Sequence, residues 1–129
     1  MVAKRVGKSL CIADKTIYHM VDLHAMSIFQ LLPVSQAVDP VSFEVKPSIT
    51  VISPNEFLIL SWTGASTLGV FVTGEGDPVR GTLEWSSHPE AICKTTLSQK
   101  VYVLINFEQV STIHISRRFS QIILLKSTI

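Results

Sequence analysis

Charge is scarce in this sequence. Eleven Lys and Arg and ten Asp and Glu make up 16% of 129 residues, below the roughly 25% of an ordinary soluble domain. The formal net charge of +1 excludes a global field that would gather nucleic acid or an anionic membrane. Arg117-Arg118-Phe119 is the one cluster of basic residues beside an aromatic ring, too little for a single-strand-binding groove. Cysteine is as sparse: Cys11 and Cys93 form no CxxC pair, which excludes a disulfide framework, and their apolar surroundings predict two buried free thiols. The basic start, Lys4, Arg5 and Lys8, is followed only by the short apolar run Ser9 to Ala13, so a signal peptide is not expected and the cytosol is the default compartment. The longest uncharged stretch, Phe57 to Gly74, is diluted by Ser61, Thr63, Gly64, Ser66, Thr67, Gly69, Thr73 and Gly74, which argues against a membrane-spanning helix.

What the sequence has is 47% hydrophobic residues distributed in short segments between turn residues, the pattern of an all-β sandwich, barrel or propeller. The length fits one domain or a piece of one, read as a single β-rich unit over 1–129. Ser9 to Ala13 and Thr16 to Leu23 flank Asp14-Lys15, a tight hairpin. Ser27 to Leu32 stops at Pro33 and fits both helical spacing (Met26, Phe29, Leu32) and strand alternation. Ser35 to Lys46 is a connector closed by Pro47. Ile49 to Ile52 and Glu56 to Ser61 are predicted strands joined by Ser53-Pro54-Asn55. Trp62-Thr63-Gly64-Ala65-Ser66 breaks the chain before Leu68 to Thr73.

Gly74-Glu75-Gly76-Asp77-Pro78 then turns. Alternation predicts Val79, Gly81, Leu83 and Trp85 on a buried face and Arg80, Thr82 and Glu84 on a solvated one. Lys94 to Lys100 is polar. Val101 to Phe107 alternates as a strand, Glu108-Gln109 turns it into Thr112 to Ser116, and Gln121 to Lys126 is a last strand or a short helix. The expected total is eight to ten strands dominated by sequential hairpins, with strand pairs recurring about every 20 residues, a rhythm that four-stranded propeller blades also produce.

Catalytic constellations are missing from this pattern. Gly74-Glu75-Gly76 lacks the third glycine of a dinucleotide fingerprint and the Gly-Lys-Ser/Thr of a P-loop, so it reads as a hairpin turn. His19, His24, His88 and His114 show no metal-ligand spacing, and no Gly-x-Ser-x-Gly elbow presents a nucleophile. Glu75 and Asp77, close in sequence, sit in a glycine turn where solvation is their ordinary role. A small hydrolase using His88 or His114 with a Ser or Glu is therefore a minor alternative, and no cofactor, metal or catalytic residue is expected. Trp62 and Trp85 carry the largest apolar area and are read first as core anchors, with Trp62 also a candidate binding residue.

One resemblance runs through Lys46-Pro47-Ser48-Ile49-Thr50, Glu56-Phe57-Leu58-Ile59, Leu68-Gly69-Val70-Phe71-Val72, Gly76-Asp77-Pro78-Val79-Arg80-Gly81-Thr82-Leu83-Glu84-Trp85 and Pro89-Glu90-Ala91-Ile92-Cys93. These residues resemble the citron-homology (CNH) domain of vacuolar protein sorting subunits of the CORVET and HOPS tethering complexes and of the transforming growth factor-β receptor-associated protein. Gly7 to Asp14, with Tyr18 and Val21-Asp22-Leu23, is similar to a preceding blade, so the likeness covers roughly residues 7–93. Residues 94–129 form a diverged tail: Lys94 to Lys100 stands where the family has an acidic and aromatic segment.

The resemblance implies a partial β-propeller of two to three blades, cytoplasmic and peripheral to endosome or vacuole membranes. It also implies tether subunits and a Rab-type GTPase as protein partners, and no catalytic residues. Arg80, Glu84 and Trp62 are the candidate protein-interaction residues, and self-association through open sheet edges is a further expectation. The alternative is a free-standing small β-barrel or sandwich binding a small apolar ligand.

Overall fold

The computed structural model describes residues 1–38, 43–94, 100–106, 109–115 and 122–128, with the backbone alone at 106, 114, 115 and 122–128. It is all-β, with no helix among the described residues. Twelve strands follow one another: β1 Val2–Val6, β2 Ser9–Ala13, β3 Ile17–Asp22, β4 Ser27–Pro33, β5 Ile49–Ser53, β6 Glu56–Trp62, β7 Thr67–Val72, β8 Leu83–Trp85, β9 Ala91–Lys94, β10 Lys100–Asn106, β11 Gln109–Ile115 and β12 Ile122–Thr128. They make three four-stranded sheets, β1-β2-β3-β4, β5-β6-β7-β8 and β9-β10-β11-β12, each an antiparallel meander in chain order. The first strands stand together, β1 beside β5 and β5 beside β9.

Sheets that meet at their first strands and fan outward are consistent with a partial propeller. None closes into a barrel, so the barrel alternative is not what these residues build.

Local chemistry explains the meanders. The Asp14 carboxylate accepts from the Thr16 and Ile17 amides at 2.7 and 2.9 Å and from the Thr16 hydroxyl at 2.7 Å, an Asx-type turn that reverses β2 into β3. Asp22 repeats the device on the amides of His24 and Ala25 at 2.9 and 3.0 Å, feeding the turn into β4. In both turns these hydrogen bonds stabilise the carboxylate form, lowering Asp14 to about 2 and Asp22 below its usual range.

The middle sheet is buried on both faces, and its sequence says so. Register places Ile49, Val51, Phe57, Ile59, Val70 and Val72 on one side, where they pack with Cys11, Ala13, Tyr18 and Met20 of the first sheet. On the other side Leu58, Leu60, Phe71, Leu83 and Trp85 pack with Val101, Val103 and Ile113 of the third. All seven residues of β6 are consequently buried, and its run Phe57-Leu58-Ile59-Leu60 is continuous rather than alternating, as a strand enclosed on two faces requires. Tyr18 sews the first seam: its hydroxyl donates to the Leu60 carbonyl at 2.6 Å and accepts from the Ser48 amide at 2.8 Å. Burial pushes that phenol up to about 12. Gly69 opens the second seam, since a Cβ there would lie 2.7 Å from Trp85 Cζ3.

Several sequence expectations are corrected. β1 and β9 were not anticipated, whereas of the strand and helix readings left open for Ser27 to Leu32 and for Gln121 to Lys126 the strand forms in both places, as β4 and β12. Gln109 already belongs to β11, while Phe107, Glu108 and Arg117-Arg118-Phe119 lie outside the described residues. The alternation from Val79 to Trp85 is interrupted. After the isolated bridge Val72↔Pro78 and the Val79 amide's bond to the Phe71 carbonyl at 3.0 Å, pairing stops and resumes only at Leu83, opposite Gly69. Leu83 and Trp85 are buried and Val79 half-buried, but Gly81 is exposed. Cys11 is buried whereas Cys93 is exposed, because Cys93 pairs with Tyr102 on the face of β9 that points away from the middle sheet.

Candidate protein-interaction site

Arg80, Glu84 and Trp62 occupy three different environments. Arg80 was expected on a solvated face with Thr82 and Glu84, yet its side chain is only 9% exposed. The reason lies 24 residues upstream: Arg80 Nε donates to Glu56 Oε2 at 2.7 Å and Nη2 to Oε1 at 3.2 Å, and the guanidinium lies over the Phe71 ring at 6.0 Å. Such a fork-on-carboxylate pair carries two parallel charge-assisted hydrogen bonds. It fastens the segment after the Gly76 turn to the first residue of β6. Thr82 and Glu84 are exposed as expected, and Glu84 projects from the edge strand β8 between the buried Leu83 and Trp85.

Trp62 closes β6 at its opposite end and is 8% exposed. Its amide donates to the Val34 carbonyl at 2.9 Å and its carbonyl accepts from the Gln36 amide at 2.6 Å, a parallel bridge that docks the chain leaving β4 onto the middle sheet. Phe43 meets its ring edge-on at 5.3 Å and 76°, while Nε1 is buried with no hydrogen-bond partner among the described residues. The structure therefore does not bring the three residues together. Arg80 binds the beginning of β6, Trp62 is its end, and Glu84 alone presents its charge to water.

A concave site that sequence reasoning missed lies between the middle and third sheets. Phe43, Lys46, Ser48, Ser87, His88 and Glu90 are among the residues lining an open cavity of about 690 Å³. His88 holds its wall: Nε2 donates to the Lys46 carbonyl at 3.0 Å and Nδ1 faces the Thr67 hydroxyl at 3.1 Å. A carbonyl can only accept, which fixes the proton on Nε2 and leaves Nδ1 of the neutral ring to accept from Thr67. The Phe43 ring stacks on the imidazole at 6.5 Å. Burial pulls the His88 pKa below its ordinary value, opposed by the Lys46 carbonyl and the charge of Glu90. Its hydrogen-bond partners are a threonine and a main-chain carbonyl, not the Ser or Glu that a hydrolytic reading needs. The signal in the sequence was His88-Pro89, but the partners lie 21 and 42 residues away.

The remaining candidates have structural employment. Gly74 to Asp77 is a turn closed by the Gly76 amide on the Thr73 carbonyl at 2.9 Å and the Thr73 amide on the Asp77 carbonyl at 2.9 Å. Burial raises Cys11 to about 12, leaving a thiol with little thiolate character. His19 sits across from Ile12 on the first sheet's outer face, and no group of three or more potential metal ligands occurs among the described residues.

Comparison with known proteins gives one similarity. The vacuolar protein sorting-associated protein 3 of Schizosaccharomyces pombe is 22% identical over 90 residues, which is 70% of this chain and 10% of that protein. The chain thus spans about a tenth of the length of the curated relative it matches. No family model matches it, and no solved structure does.

Proposed function

We propose that this chain is a non-catalytic protein-interaction module of membrane trafficking, built from citron-homology-like propeller blades. In this reading it acts in the cytoplasm, peripheral to endosome or vacuole membranes, by binding tether subunits and a Rab-type GTPase. The observation that carries the proposal is the pairing of the similarity to a vacuolar sorting protein with three chain-ordered four-stranded meanders whose first strands stand side by side. The motif Gly76-Asp77-Pro78-Val79-Arg80-Gly81-Thr82 supports it further. Its aspartate closes the turn on Thr73 and its arginine forms the pair with Glu56, so the most family-like residues hold a blade together.

The test is direct binding. The full chain, immobilised, is presented with purified tether subunits and with Rab-type GTPases loaded with GTP or GDP. Retention of a tether subunit, or nucleotide-dependent retention of a GTPase, is the expected result; failure to retain any of them overturns the reading.

A further inference from the structure

We draw no further inference here: the strongest candidate, the open cavity between the middle and third sheets lined in part by Phe43, Lys46, His88 and Glu90, has both ring nitrogens of His88 engaged by Lys46 and Thr67 of the same chain, and nothing in the structure shows what fills it.

Discussion

Arg80 and Glu56 show what a single side chain contributes here. Both are nearly out of contact with water, and each charge is neutralised by the other through two hydrogen bonds. Removing one partner takes the counter-charge from the other, and loss of one half of a buried pair costs about 3–5 kcal/mol. Arg80→Ala and Glu56→Ala should each lower the stability read from urea denaturation by that amount. The double variant should cost much less than the two singles combined, because no orphaned charge remains. Additive losses would mean that the two side chains act separately. Nothing near Arg80 in the sequence announces this role. Period-two alternation correctly put Leu83, Trp85 and Glu84 on their faces, but it could not register a partner 24 residues away, and so it sent Arg80 to the surface. Trp62 was legible as an anchor for the opposite reason: its large apolar area decides its burial wherever the strand ends.

Strands that alternate and strands that do not make different demands on substitution. In β6, Phe57 faces the first sheet's side of the core and Leu58 the third's, and both are fully buried. Phe57→Ala should cost about 3–5 kcal/mol and Leu58→Ala about 2–5 kcal/mol in chemical denaturation. A one-sided strand would lose stability at only one of two neighbouring positions. Were either variant to unfold as wild type does, one face of the middle sheet would be exposed. Alternation and turn residues made β2, β3, β5, β7 and β10 readable in the sequence, and β6, a continuous apolar run, was readable from the turns that bound it. β1 was hidden because Ala3, Lys4 and Arg5 are exposed and leave no run of apolar residues to notice. β9, four residues long with alternate residues exposed, was hidden by brevity. For β4 the choice between helix and strand rested on pairing with β3, a contact that local spacing does not contain.

The three meanders hold together through seams, and the seams differ in their response to pH. Between the first and middle sheets the link is Tyr18, whose phenol, raised to about 12, stays neutral throughout the physiological range. At the cavity beside the third sheet the link is His88, which ties β7, through Thr67, to the connector, through Lys46. Burial disfavours its cation, so its pKa in the folded chain lies below the ordinary 6.5. The unfolded chain therefore binds a proton at a higher pH than the folded one, and stability must rise with pH wherever that difference exists. Above about 6.5 both states are neutral at this residue and the dependence vanishes. As the pH falls through 6.5 the unfolded state gains a proton that the folded state resists, and stability declines until the folded ring is protonated as well. Thermal unfolding followed from pH 7.5 to 5.5 should show a falling Tm, and His88→Gln, which keeps a donor for the Lys46 carbonyl and an acceptor for Thr67, should flatten that fall. Parallel curves for wild type and His88→Gln would remove His88 as the origin of the dependence. A steeper fall in the variant would reverse the sign and imply that the folded site prefers the cation, with Glu90 outweighing burial.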